Sequence, residues 1–256
     1  MIVTPHLPAL LLLFVAGAGA GLTGSIAGLA SLVSYPALLA VGLPPVSANV
    51  TNTIAMLGTT VGATAGSRPE LAGQRARLKV LCLITAVGGA FGAALLLLTP
   101  SGTFTVIVPF LIAGASVLLF LGPRLRKYAE HANAHGLSPA AGVAAFAVAI
   151  YGGYFGAAAG VLMLALLSTV WAQSLARSNA AKNLATGAAN LVAAVVFACT
   201  GKVVWPAVVV LCLGSVLGSW IGPAIVRRLP ATPLRIAIGL AGLGLAAALG
   251  WQAFTA

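Results

Sequence analysis

Acidic residues are almost absent from this sequence. Its 256 residues include no aspartate and only two glutamates, Glu70 and Glu130, and charged side chains make up 6% of the chain. Neither glutamate lies in a long apolar stretch, so no carboxylate is available there to relay protons or bind sodium. With so few charges, a soluble protein would lack the polar groups that normally cover its surface.

Side chains that usually carry catalysis or bind metals are also scarce. The histidines are His6, His131 and His135, none of which lies in an apolar stretch, and the three cysteines show no metal-ligand spacing. The sequence contains no phosphate-binding loop. We therefore expect no enzyme activity, no bound metal and no cofactor.

Long apolar stretches dominate what the sequence does contain. Hydrophobic residues make up 61% of the chain, and about 20 of them cross a bilayer as a helix. Most of the stretches fit that length, whereas the first and the fifth are too long for one span and carry glycines near their middles. This pattern predicts an all-α polytopic membrane protein, embedded in a lipid bilayer. The stretches are residues 9–42, 46–66, 80–99, 104–122, 139–170, 179–201, 203–222 and 235–254.

The basic residues indicate an orientation. The net charge is +11, and all the Lys and Arg side chains except Lys182 and Lys202 fall in four short segments between apolar stretches. All four segments can face the cytoplasm, as the positive-inside rule requires, only if each overlong stretch is a hairpin that returns to the side it entered. We therefore expect a multi-pass protein of a bacterial inner membrane with both termini outside, and no nucleic-acid partner. The segments are 67–79, 123–138, 171–178 and 223–235.

The two overlong stretches resemble each other. Gly24 to Gly28 aligns with Gly156 to Gly160, and residues 48–52 align with 179–183. Such self-similarity indicates an internal repeat, and hairpins in both halves make the second half inverted relative to the first.

We expect residues 1–122 and 139–256 to form two inverted repeats, joined by a cytoplasmic loop at 123–138. Each repeat is a broken helical hairpin followed by three transmembrane helices. Transporters with this plan hold their substrate near the midplane, where the helix breaks meet, and rock one repeat against the other.

The glycine pairs predict the first part of a binding site. If the hairpins turn at Gly24/Gly28 and Gly156/Gly160, the N–H groups that open each returning half-helix can hold an anion. Small residues at this spacing also allow tight helix packing without any ligand.

Polar residues that follow each hairpin predict the second part. Amide and hydroxyl groups suit an oxyanion, although Asn and Thr at the start of a span also act as helix caps. Lys182 is placed near a helix start, where its charge opposes the helix dipole. Either a bound anion or snorkelling to the headgroups would offset that charge. The candidate residues are Asn49, Thr51, Asn52, Asn179, Lys182, Asn183 and Thr186.

These segments resemble a known family. The run SYPALLAVGLPPVSANVTNTIAMLGTTVGA and the later run YGGYFGAAAGVLMLALLSTVWAQSLARSNAAKNLATGAANLVAA are similar to the two repeats of the sulfite exporter TauE/SafE family. The resemblance implies a permease for sulfite, sulfonates or related sulfur-containing anions that works as an exporter. A channel-like anion pore and a non-transport membrane scaffold remain alternatives, and the oligomeric state, a homodimer included, stays open.

Overall fold

The computed structural model describes residues 7–129, 138–171, 173–200, 202–226, 236, 240 and 243–251, which contain helices and turns and no strand. The first half consists of α1 (Leu7–Ala27), α2 (Ala30–Ala40), α3 (Pro45–Ala55), α4 (Leu57–Gly66), α5 (Arg68–Leu71), α6 (Arg75–Leu98) and α7 (Ser101–Ala129). The second half contains α8 (Pro139–Tyr154), α9 (Ala159–Val170), α10 (Leu175–Ala198) and α11 (Trp205–Val226), and residues 243–251 are also helical.

Four of these helices, α1, α6, α10 and α11, are long and apolar enough to cross a membrane. The prediction of an all-α membrane protein is therefore confirmed. Two details differ from the sequence pattern. The expected span 46–66 is divided at Met56 into α3 and α4, and α7 continues to Ala129, beyond the predicted boundary at residue 122.

Both overlong stretches break at a glycine. Gly28, between α1 and α2, has φ 76°, and Gly156, between α8 and α9, has φ 77°. Glycine adopts this left-handed conformation without the steric cost that a Cβ imposes. Gly24 and Gly160 lie inside α1 and α9. The chain therefore turns at Gly28, the second glycine of the first pair, and at Gly156, the first glycine of the second pair.

The arms of the first hairpin run antiparallel. Gly24 of α1 lies against Ala30 of α2, and Gly19 lies against Val33 further along. With 11 residues, α2 is about half as long as α1, which has 21. The first arm of the hairpin is thus a full-length helix and the returning arm is a half-helix.

Each long first arm packs against a helix from the other half of the chain. On α1, Gly17 and Gly21 contact the backbone of Leu211 and Ser215 in α11. Positions advance together along the two helices, so α1 and α11 run parallel. Glycine is needed at this interface, because a Cβ would overlap the carbonyl oxygens of the neighbouring helix.

The second hairpin repeats this packing on α6. Gly88 of α6 lies against Ala149 of α8, and Gly92 lies against Tyr154, so α6 and α8 are also parallel. As a result, the two hairpin turns come together, with Gly28 against Gly160.

Candidate functional site

All four predicted polar site residues of the second half lie on α10. Ser174 caps this helix by accepting a hydrogen bond from the backbone N–H of Arg177 at 3.4 Å. Since α10 begins at Leu175, Lys182 lies in the helix interior rather than at its start. Lys182 is 1% exposed, so its side chain is enclosed by the protein.

The polar side chains of α10 reach the carboxyl-terminal end of α1. Lys182 Nζ donates to the Gly24 carbonyl oxygen at 2.9 Å. Asn179 Nδ2 and Asn183 Nδ2 donate to the Ser25 carbonyl oxygen at 2.7 and 3.3 Å. Because the carboxyl-terminal end of a helix carries negative partial charge, a buried ammonium is stabilised there. This contact partly offsets the cost of burying the Lys182 ammonium group.

The hydrogen bonds of Lys182 are incomplete. An ammonium has three N–H donors, and within the described part of the chain its one hydrogen-bond acceptor is the Gly24 carbonyl. It makes no ion pair with any described residue. A buried charge with unused donors is costly unless a further partner is present.

A cavity of about 60 Å³ lies between the two hairpin turns. This volume exceeds the roughly 10–15 Å³ that a cavity needs to hold one water molecule, so the cavity has room for water or a small ion. The predicted site residues that line it are Gly24, Gly28, Gly156, Gly160, Lys182, Asn183 and Thr186.

Two predicted residues, Asn49 and Asn179, do not line the cavity and instead form hydrogen bonds to the backbone of the hairpins. Asn49 Nδ2 donates to the Tyr154 carbonyl oxygen at 2.8 Å, at the end of α8. Asn179 makes the corresponding bond to Ser25 near the end of α1. Neither is a helix cap, because both lie inside helices.

Thr51 and Asn52 also lie outside the cavity lining. Thr51 Oγ1 accepts a hydrogen bond from the Val204 N–H at 3.1 Å, just before α11. Asn52 donates to Ser31 Oγ at 3.0 Å and accepts from Ser34 Oγ. Asn52 therefore positions the start of α2. It does not line the cavity itself, but it contacts Ser31, which does.

Several polar residues of the cavity lining were not predicted. Asn190 could have been found from its spacing, because Asn183, Thr186 and Asn190 follow each other at intervals of three and four residues on one helix face. Thr85 had no such signal, since it stands alone among apolar residues of α6. The unpredicted polar residues that line the cavity are Ser31, Thr59, Thr60, Thr85 and Asn190.

The half-helices α2 and α9 begin at the cavity without side-chain caps. The residues that precede them, Leu29 and Ala158, make no capping hydrogen bond. By contrast, α8 and α10 are capped by the serines Ser138 and Ser174. The N–H groups of Ala159 and Val161 already donate to the Gly156 and Ala158 carbonyl oxygens. Those of Ala30, Ser31 and Gly160 have no hydrogen-bond acceptor among the described residues, and N–H groups in this position at a helix start can bind an anion.

A helical membrane protein whose broken helices enclose a buried polar cavity has the design of a membrane transporter. The sequence pattern of one such family, described as sulfite exporter TauE/SafE, matches residues 13–249. The chain belongs to the sulfite exporter TauE/SafE family.

Curated relatives agree with this class. The chain is 30% identical to the probable membrane transporter protein YfcA of Escherichia coli K12 over 207 residues, which covers 81% of this chain and 77% of the relative. It is 28% identical to a probable membrane transporter protein of Haemophilus influenzae over 235 residues, with 88% of each chain covered. No solved structure matches the chain.

Proposed function

We propose that this protein exports a small sulfur-containing anion, sulfite or an organosulfonate, which binds in the cavity between the hairpin turns. The observation that carries the proposal is Lys182, a buried ammonium group that lines the cavity and makes one hydrogen bond within the described residues. The substrate class follows the family description, which names sulfite.

Charge at the cavity favours an anion. Lys182 is the one charged side chain in its lining, and the uncapped starts of α2 and α9 add two positive dipole ends. An oxyanion would accept hydrogen bonds from Lys182 and from the N–H groups near Ala30 and Gly160. Asn183 and Thr186 would complete the polar surroundings.

The packing of the hairpins supports the inverted-repeat arrangement. In a topology with the basic segments inside, α1 and α11 both run inward and α6 and α8 both run outward, in agreement with their parallel packing. We therefore retain the proposal of two inverted repeats, 1–122 and 139–256, in a bacterial inner membrane with both termini outside.

Alternating access is the transport mechanism that this arrangement favours. The cavity lies where the two hairpin turns touch at Gly28 and Gly160, so a relative movement of the hairpins changes its access. A channel would instead need a continuous polar pore through the bilayer.

The proposal is tested first by ligand-dependent stability. Thermal unfolding of the detergent-purified protein is measured with sulfite, a sulfonate, sulfate and chloride at matched ionic strength. A true ligand stabilises the protein by about 2.7 kcal/mol at a hundredfold excess over Kd. Lys182→Gln should lose the effect of sulfite or the sulfonate. Lys202→Gln is the control, because Lys202 is exposed and lies outside the cavity lining.

Transport in proteoliposomes completes the test. Saturable sulfite or sulfonate flux that Lys182→Gln reduces and Lys202→Gln preserves is the expected result. Flux that rises linearly with concentration and voltage would indicate a channel. Undiminished flux in Lys182→Gln would remove this residue from the site.

A further inference from the structure

A second polar pocket, separate from the central cavity, lies where α6 and α10 begin. Its volume is about 520 Å³, and we call it the basic pocket. Arg77 is eight residues before Thr85 of the central cavity along α6, a distance of about 12 Å at 1.5 Å per residue. The residues that line the basic pocket are Gly73, Gln74, Arg77, Gln173, Ser174 and Arg177.

The two arginines give the basic pocket an anion-binding character. Arg77 comes from α6 and Arg177 from α10, and a hydrogen bond from Arg177 Nη2 to the Ala72 carbonyl oxygen at 3.0 Å holds the second guanidinium in place. Guanidinium groups bind phosphate oxygens in a bidentate manner. The start of α6 adds uncapped N–H groups, because Gln74 makes no capping hydrogen bond there.

Gln74 indicates what else the ligand must supply. This side chain is 5% exposed, and its Nε2 donates to the Glu70 carbonyl oxygen at 2.6 Å. Its Oε1 is buried and has no hydrogen-bond partner in the described structure. A buried acceptor without a donor is costly, so a suitable ligand brings a donor as well as anionic oxygens.

We propose that the basic pocket binds a phosphate group that carries or adjoins a hydroxyl. The anionic oxygens bind Arg77 and Arg177, and the hydroxyl donates to Gln74 Oε1. Two sources share this chemistry: dissolved hydrogen phosphate, and the glycerophosphate headgroup of phosphatidylglycerol in the inner leaflet. Basic pockets beside membrane helices commonly hold anionic headgroups.

Sulfate provides a sharp comparison, because it matches phosphate in shape and lacks a proton to donate near neutral pH. A sulfate oxygen beside Gln74 Oε1 would place two hydrogen-bond acceptors in contact with no proton between them. Phosphatidylcholine is the matching lipid comparison, since its headgroup has a phosphate and no hydrogen-bond donor. Thermal unfolding of the full-length protein in detergent is therefore measured with phosphate against sulfate, and with phosphatidylglycerol against phosphatidylcholine in mixed micelles.

We expect a saturable rise in the unfolding midpoint with phosphate, with phosphatidylglycerol, or with both. A rise with dissolved phosphate or with phosphatidylglycerol shows which of the two ligands the basic pocket binds. The double variant Arg77→Gln/Arg177→Gln should weaken the apparent affinity at least about tenfold, since it removes both guanidinium groups that form charge-assisted hydrogen bonds to the phosphate oxygens. The matched control is Arg75→Gln/Lys79→Gln, which removes the same charge from exposed positions of α6 outside the pocket lining.

Three results would overturn the proposal. One is no response in either arm. Another is an equal response to phosphate and sulfate together with an equal response to the two lipids. The third is equal weakening in the two double variants, which would indicate diffuse charge. If the pocket double variant does not fold, the exposed Arg77 is replaced alone by Gln and judged by the same criteria. Lys182→Gln should leave phosphate binding intact, so this outcome is independent of the sulfite test.

Discussion

Asn49 and Asn179 make the same contact in opposite directions: each comes from one half of the chain and holds the first arm of the hairpin in the other half. Asn49 binds the carbonyl of Tyr154 on α8, and Asn179 binds that of Ser25 on α1. Both side chains are buried, and the Oδ1 atom of each has no hydrogen-bond partner in the described residues. The pair therefore fixes each hairpin against the helix that follows the other hairpin.

Loss of either asparagine should destabilise the protein. Asn49→Ala leaves the Tyr154 carbonyl without its donor, and Asn179→Ala leaves the Ser25 carbonyl with only the longer bond from Asn183. We expect a cost of about 1–3 kcal/mol in the free energy of unfolding for Asn49→Ala, and a cost near the lower end of that range for Asn179→Ala. The measurement is denaturant unfolding in detergent. Asn190→Ala is the control, because Asn190 lines the cavity and has no hydrogen bond within the described residues. A similar cost for Asn190→Ala would show that the hydrogen bonds from Asn49 and Asn179 to the hairpins do not account for the loss of stability.

The contact between the hairpin turns should tolerate no extra atom. A Cβ on Gly160 would lie 2.6 Å from the Cα of Gly28, so Gly160→Ala must push the turns apart, at a cost of about 1–3 kcal/mol. Gly114→Ala in α7 is the control, since a Cβ there meets nothing within 4 Å. That substitution should stabilise the helix by about 0.5–1 kcal/mol. Equal unfolding midpoints for the two variants would contradict the close approach.

Two tyrosines, the half-buried Tyr151 and the buried Tyr35, should respond differently to loss of the hydroxyl. Tyr151 OH donates to the Ala157 carbonyl oxygen at 2.6 Å across the second turn, so Tyr151→Phe should cost about 1–3 kcal/mol. Tyr35 OH is buried with no partner among the described residues, so Tyr35→Phe should be neutral or stabilising by about 1 kcal/mol. If Tyr35→Phe lowers transport without lowering stability, the hydroxyl has a partner in another state of the transport cycle.

Labelling of introduced cysteines tests the orientation. In a variant without native cysteines, Lys202→Cys should react with a membrane-impermeant maleimide in intact cells. Arg75→Cys should react only after the cells are permeabilised, because 67–79 is a basic segment that the positive-inside rule assigns to the cytoplasm. Both positions are exposed. The opposite labelling pattern would reverse the proposed topology.

Local sequence was sufficient to predict most of the helices and the breaks near Gly28 and Gly156, although it did not predict the break at Met56. Span length and glycine position act through neighbouring residues, so the breaks near Gly28 and Gly156 could be expected before any contact was known. The burial of Lys182 could not, because the position of α10 relative to α1 depends on packing between distant segments. For the same reason Thr51, predicted in the site, instead accepts a hydrogen bond from Val204.

The cavity lining shows the same limit at single residues. Asn183 and Thr186 were predicted from a polar run on one helix, and Asn190 extends that run by a further turn. Thr85 reaches the cavity only because α6 packs beside α8 and α10. A single polar residue in an apolar helix does not reveal which neighbour it faces.

The parallel pairing of α1 with α11 has a consequence for the order of assembly. During synthesis α1 leaves the ribosome long before α11, the helix that covers its glycines. Until α11 is present, the surface of α1 that carries Gly17 and Gly21 must contact lipid or another segment of the protein. The first half therefore cannot complete its packing alone, because α1 reaches its final contacts only after α11 has been made.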